Sequence, residues 1–275
     1  MFNAKVFVVE FIGTFALVLV GSAAGMYNVG VLGVALAHGL TLAAMAYTFG
    51  YISGMHINPA VTLGLATNGN ITWREAIVYW VAQFAGGALA AFLLHYIVNL
   101  VNPEAFNAAA TNGVLTTDYP YFALGVEALL TFFLMNAVLH TSMGDKTGPF
   151  GAWAIGTTLT IAILGGGPLT GASLNPARSF GPAIFTSVIT AGTPDYQNYL
   201  LYLVYFIGPF LGAILAVSLY QFLKSEPALD EEDDEPDVVE VVESVIMMEE
   251  VVEKPVKQST TRKPATTKRS TKAKA

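Results

Sequence analysis

Asn58-Pro59-Ala60 and Asn175-Pro176-Ala177 are one tripeptide written twice, 175 − 58 = 117 residues apart. Glu10 and Glu127 keep the same offset, so a duplicated unit carries one acid and one Asn-Pro-Ala per copy. The residue types suggest a chemistry. Asparagine is a good helix N-cap, and proline is tolerated at a first helical position, where its missing N–H would have no partner. Each motif is therefore expected to open a helix whose free N–H groups and partial positive charge point back toward the Asn. A side-chain amide donates hydrogen bonds to a neutral oxygen without offering a titratable group. Two such ends facing each other would orient a small neutral molecule and repel cations, with no carboxylate to relay protons.

The segments that must hold these residues are apolar. The chain has 275 residues, 54% of them hydrophobic, and a mean hydropathy of +0.56, which disfavours an ordinary soluble domain. Of 20 acidic residues 13 lie in 224–275, as do 9 of the 13 Lys and Arg, leaving 7 and 4 in the first 223 positions. Eleven charges cannot solvate a globule of that size, whereas a bundle whose solvent is lipid needs few. The net charge of −7 therefore describes the tail. Six stretches, near 6–26, 31–51, 75–98, 121–141, 151–168 and 199–223, reach the ~20 residues that cross a bilayer core. Two more, about 58–67 and 175–186, are too short to span, and each begins at an Asn-Pro-Ala. They read as half-helices entering the membrane part-way, with irregular backbone that must be buried in protein or line a cavity. The fold class is thus an all-α membrane protein of six transmembrane helices plus two re-entrant half-helices. The N-terminal apolar stretch is too long for a cleaved signal segment and reads as the first span, retained.

Lys5, Arg74, Lys146 and Lys224 fall on one side of six spans, while the opposite loops hold Glu104, Asp118 and Asp195 and no Lys or Arg. The positive-inside rule puts both termini in the cytoplasm. Three spans per half make the halves inverted, so the two motifs enter from opposite faces. The organisation expected is a channel-like unit over 1–223, with repeats at about 5–100 and 120–223, and a disordered cytoplasmic tail over 224–275. Gly13, Gly21, Ala24, Gly86, Gly87, Gly208 and Gly212 suit close helix packing. Gly165-Gly166-Gly167 reads as a break after span five. The tail is acidic to Glu253 and basic from Lys254. Its composition is that of a solvated extension; a sharper reading is an amphipathic helix with a basic arm that touches anionic lipid or nucleic acid.

Over about residues 5–223 the chain resembles the major intrinsic protein (aquaporin) family. The residues that carry the resemblance are Ser53 to Thr62 around the first motif, Gly171 to Ser179 around the second, and the acid that opens each repeat. The resemblance implies a homotetramer with one pore per subunit, in which His38, Ile163, Ala172 and Arg178 form a narrow selectivity filter. It also implies that backbone carbonyls of Gly54, Met55 and His56, and of Gly171, Ala172 and Ser173, line the path. The family's strict water channels pair an aromatic at the His38 position with a histidine at the Ile163 position. Its glycerol facilitators carry a tryptophan, a small residue and an aromatic in place of Ala172, with an aspartate soon after the filter arginine. Ser179 and Ala183 follow the water-channel pattern, as does the aromatic pair Tyr205-Phe206. The filter set is closest to the tonoplast-type subgroup, which passes water and small neutral solutes.

Several residues have a plainer reading. Arg178 is the only Lys or Arg outside the loops and tail, and at membrane depth a cavity-facing position suits it far better than a lipid-facing one. Glu10 and Glu127 could relay protons, but one acid per half-helix fits better with accepting hydrogen bonds from the re-entrant backbone. His38 could be a core histidine, although its match to a filter position favours the pore. His56 reads as a structural hydrogen-bonder, and His95 and His140 are assigned nothing.

The function expected is a passive water channel in the cell (plasma) membrane that excludes protons and ions and passes some small neutral solutes. One alternative is a facilitator mainly for glycerol, urea or ammonia; another is a non-conducting structural membrane protein. A secondary transporter would need acids for a coupling ion, and only Glu10 and Glu127 are candidates. No nucleophile–base set, metal spacing or phosphate loop supports an enzyme or a cofactor. With no cysteine in the chain, mercuric ion is expected to leave osmotic water flux through proteoliposomes unchanged. Block at micromolar mercurial would contradict the pore assignment.

Overall fold

The computed structural model describes residues 3–100, 110–142, 148–184 and 196–224. Glu104, Lys146, Asp195 and the tail beyond Lys224 lie outside the described residues. Six helices are long and apolar enough to cross a membrane, and no strand occurs among the described residues. They are α1 (Ala4–Met26), α2 (Gly30–Ser53), α4 (Trp73–Asn99), α6 (Pro120–Ser142), α7 (Gly151–Thr170) and α9 (Tyr196–Lys224). Two short helices, α3 (Pro59–Thr67) and α8 (Pro176–Ala183), begin at the prolines of the two motifs, as expected. A one-turn helix α5 (Val114–Asp118) and a 3-10 turn at Gly148–Phe150 were not anticipated.

One expectation fails. Gly165-Gly166-Gly167 does not break the fifth span; α7 runs through it and through Pro168 to Thr170. The helix stops at Gly171, whose φ of 81° is left-handed and whose N–H bonds back to Gly167 O. In hydrocarbon a broken backbone has no water to satisfy it, so the helical ladder persists through weak helix formers until a residue that can close it.

Local signals explain the other ends. Asn3 caps α1 through its side-chain oxygen. Thr72 and Glu75 form a reciprocal capping box at the start of α4. Trp80 on α4 donates its indole N–H to Pro59 O, fixing where α3 starts. Large apolar side chains such as Ile12, Leu36, Leu40, Ile77, Val81, Phe133, Ile161 and Leu211 face outward and well exposed. Around a water-soluble protein such a surface would aggregate; against lipid it is ordinary.

The packing is that of two interlocked halves. α1 packs on α4, α6 on α9, and α2 on α7. The half-helices are exchanged: α8 rests against α4 of the first half, and α3 against α9 of the second. Equivalent close approaches recur in both halves. A Cβ on Gly86 of α4 would strike Phe11 O of α1, and one on Gly212 of α9 would strike Ala128 O of α6. Phe11 and Ala128 are again 128 − 11 = 117 residues apart. The small residues singled out in α4 and α9 thus let backbones touch. Gly13 and Gly21 serve differently, leaving room for the Met55 and His38 side chains.

Because the carbon skeleton of Gly212→Leu would meet backbone atoms of Ala128 and Phe132 at 2.9 Å, overpacking should cost about 1–3 kcal/mol. Thermal unfolding in detergent should show a clear drop for this variant. Gly125→Ala, where no atom lies within 4 Å, should not shift the midpoint downward.

Candidate functional site: a narrow passage between two half-helices

Each re-entrant loop is held by one buried carboxylate. Glu10 accepts four hydrogen bonds: Ser53 Oγ at 2.6 Å, His56 N at 2.9 Å, Ile57 N at 2.7 Å and Gln83 Nε2 at 2.9 Å. Glu127 accepts three: Thr170 Oγ1 at 2.7 Å, Ser173 N at 2.9 Å and Leu174 N at 2.8 Å. Both acids are fully buried. With their oxygens occupied by donors, they serve as fixed acceptors for loop backbone. A tyrosine hydroxyl closes the end of each preceding helix, Tyr79 to Ser53 O and Tyr205 to Thr170 O, both at 2.6 Å.

This clamping sustains an unusual backbone. Met55 and Ile57 have φ of 52° and 41°, and their counterparts Ala172 and Leu174 have φ of 43° and 55°. Left-handed conformations at branched or bulky residues are costly and persist only where surroundings over-determine them.

The two Asn side chains tie the loops to each other. Asn58 Oδ1 accepts from Ala60 N at 2.8 Å, and Asn175 Oδ1 accepts from Ala177 N and Arg178 N at 3.0 and 3.2 Å. These are the N-caps read from the sequence. Asn58 Nδ2 donates to Leu174 O, and Asn175 Nδ2 donates to Ile57 O, each at 2.8 Å. An amide nitrogen carries two hydrogens. One on each Asn crosses to the other loop, leaving the second for whatever lies between the helix ends.

What lies between them is a cavity of about 40 Å³. At the 10–15 Å³ a single water requires, it has room for about three waters. Asn58, Asn175, Arg178, His38, Ser173 and the Gly54–His56 loop line it, opposite an apolar wall that includes Leu17, Leu42, Val61, Leu134 and Leu159. Of the residues expected at the filter, His38 and Arg178 face this cavity. Ile163 and Ala172 are buried without lining it, and Gly171 is half-buried beside it.

His38 and Arg178 meet. His38 Nδ1 lies 2.9 Å from Val34 O, and a carbonyl can only accept, so Nδ1 carries the proton. Nε2 is then a lone pair, and Arg178 Nε donates to it at 3.3 Å. His38 is a neutral acceptor that orients the one buried cation among the described residues. Arg178 Nη1 donates to Thr111 Oγ1.

Sequence reasoning missed the supporting roles, although Ser53, Thr62, Ser179 and Tyr205 are among the residues that carry the resemblance. Ser53 and Thr170 keep the 117-residue offset, as do Thr62 and Ser179, so a full repeat alignment would have found them. Tyr79 and Tyr205 are 126 apart, because Tyr205 follows its Asn by 205 − 175 = 30 residues and Tyr79 by 79 − 58 = 21, and this insertion within the second repeat hides them from the offset. Thr111 carries no signal; it is one hydroxyl in a long loop. The His56 ring stacks on Tyr79 at 4.3 Å and its Nδ1 meets Thr62 Oγ1 at 3.2 Å, and the residue also lines the cavity. Among the described residues no cluster of His, Asp or Glu has the arrangement of a metal site.

Six spans and two exchanged half-helices whose N-termini meet at a small cavity define a membrane channel rather than an enzyme. The chain belongs to the major intrinsic protein family, whose model matches residues 1–220. It is 36% identical to aquaporin TIP1-2 of Zea mays over 80% of this chain and 86% of that protein. It is 34% identical to aquaporin AqpM of Methanothermobacter thermautotrophicus, covering 80% and 97%. It is 38% identical to glycerol uptake facilitator protein-like 6 of Lactiplantibacillus plantarum, covering 80% and 98%. The X-ray structure of the aquaglyceroporin from Plasmodium falciparum superposes with a TM-score of 0.70 at 21% identity, over 80% of this chain and 96% of that one. That likeness establishes the shared fold.

Glu10→Gln would aim an NH₂ group into a ring of donors, a loss of about 1–3 kcal/mol. Thermal unfolding in detergent should therefore fall more for Glu10→Gln than for Glu127→Gln, which has three donors in place of four. Equal losses would show that the Gln83 bond contributes nothing.

Proposed function

We propose that this protein conducts water passively, excludes protons and ions, and also passes small neutral solutes. The observation that carries this reading is the pair of Asn amides, each with one N–H committed to the opposite loop and one left for a cavity of about 40 Å³. A water oxygen arriving there accepts from both Asn side chains, between two helix N-termini, with the apolar wall denying it other partners. Cations meet the positive ends of two half-helices and Arg178. We assign Asn58 and Asn175 to orienting the permeant molecule, and His38, Ile163, Ala172 and Arg178 to the filter. Gly54, Met55, His56, Gly171, Ala172 and Ser173 offer carbonyls along the path, with Glu10 and Glu127 as structural acids. Isoleucine in place of a second histidine makes the filter less polar, and alanine leaves it wider than an aromatic would, which suits solutes such as urea, ammonia or glycerol. A facilitator mainly for glycerol is the second reading, favoured by the bacterial glycerol-facilitator relative.

The proposed organisation is a channel unit over 1–223 and a tail of separate chemistry, acidic and then basic, suited to anionic lipid. The proposed assembly is a homotetramer with one pore per subunit, and the basic residues Lys5, Arg74, Lys146 and Lys224 support a topology with both termini in the cytoplasm. Family membership makes the chain an integral multi-pass membrane protein. The cell-membrane address expected from sequence finds no support among the relatives, several of which bear TIP-type names.

Stopped-flow light scattering on proteoliposomes tests the channel. Ala46 lines the cavity, and a space of this size cannot admit an indole. Ala46→Trp is expected to reduce osmotic shrinkage to the rate of empty liposomes, while wild type shrinks fast and swells in urea or glycerol. Wild-type tetramers that shrink no faster than empty liposomes would sink the open-channel reading and bring forward a structural role.

A further inference from the structure

The walls of the cavity are paired by the repeat, and the exceptions to the pairing show where its two ends differ. Leu17 and Leu134, Leu42 and Leu159, and Asn58 and Asn175 each keep the 117-residue offset, and all six line the cavity. Val138 on α6 and Ile155 on α7 line it as well. Their counterparts in the first repeat are Gly21 on α1 and His38 on α2, and of these two His38 alone faces the cavity. One copy thus carries two aliphatic side chains at positions where the other carries an imidazole and a bare glycine.

The glycine and the ring fit each other. A Cβ on Gly21 would stand 2.2 Å from His38 Nε2, 2.3 Å from Cε1 and 2.5 Å from Cδ2. Those atoms form the far edge of the imidazole, so the ring reaches across to α1 and fills the space of the missing methyl group. Its near side is fixed by the bond from Nδ1 to Val34 O. Both residues are buried. Gly21 lies inside α1 and has no left-handed φ, so its conformation does not call for glycine. A glycine inside a helix costs stability against alanine, and what it supplies here is room.

We propose that Gly21 is a positioning residue for His38: the notch it leaves in α1 draws the imidazole aside and so sets how large a neutral solute the passage admits. This rests on the channel reading above. Ordinary contact begins at 3.4 Å, so a methyl group at position 21 displaces the ring edge by 3.4 − 2.2 = 1.2 Å. His38 lines the cavity and Gly21 does not, so α1 stands behind the ring and the displacement is into the passage. A close-packed interior has no slack to absorb a shift of that size. In a cavity of about 40 Å³ it excludes urea before it excludes water.

The test compares urea swelling with water shrinkage in proteoliposomes of the full chain, for wild type, Gly21→Ala, His38→Ala, the double variant and Ala46→Trp. The urea-to-water ratio should fall roughly tenfold in Gly21→Ala, the scale of one overpacked methyl group. It should rise in His38→Ala. The double variant should match His38→Ala, because the added methyl acts only through the ring. An unchanged ratio in Gly21→Ala overturns the proposal, as does a fall in His38→Ala. A double variant below the His38→Ala value also overturns it, since the methyl would then act through helix packing. Should Gly21→Ala alone fail to assemble, a double variant that assembles with the His38→Ala ratio supports the notch, and one that also fails overturns it. A wild type that passes water but no urea overturns it as well, since a ring drawn aside would then admit nothing. Water flux that survives Ala46→Trp would instead overturn the channel reading itself.

Discussion

Backbone at membrane depth has no water to bond with, and every feature of the site follows from how two non-helical loops meet that constraint. A buried N–H without a partner costs several kcal/mol in hydrocarbon. Glu10 and Glu127 answer it by placing a carboxylate under each loop, where two consecutive backbone N–H groups and a hydroxyl converge on it. With two N–H groups of each loop held by its acid, left-handed residues such as Ile57 and Leu174 become tolerable. Glu10 accepts four hydrogen bonds and Glu127 three, most of them from the loops they hold.

The two loops then stabilise each other. Each Asn caps its own half-helix through oxygen and donates to the other loop through nitrogen. Exchange of the half-helices between halves gives each one a full-length helix of the other repeat to rest on. Neither repeat could form this site alone. The glycines at the α1–α4 and α6–α9 crossings matter for the same reason, since the loops meet only if these backbones touch.

Function enters where the symmetry is broken. The repeat equivalent of Arg178 is Val61, and that of His38 is Ile155, so the cation and its neutral acceptor sit toward one end only. The other end has the apolar side chain. The cavity is thus lined by matched amides from both repeats and by a cation from only one of them. Gly21 beside the His38 ring, where the second repeat has Val138, belongs to the same asymmetry.

Much of this was legible because membrane solvation writes strong patterns. Long apolar runs gave the six spans to within a few residues, and the 117-residue offset exposed the repeat, both helix starts and both acids. Gly165-Gly166-Gly167 misled because glycine signals a break only where water can take over the backbone's hydrogen bonds, and here none can. The chain order of residues determined which chemistry was present: two amides, two acids, one arginine and no thiol. Tertiary structure alone decided which of them meet. Thr111 reaches Arg178 across 67 positions, and Gln83 reaches Glu10 across 73. Contacts of that span depend on how helices cross, and crossing is set by the sum of many small packing terms that no local pattern records.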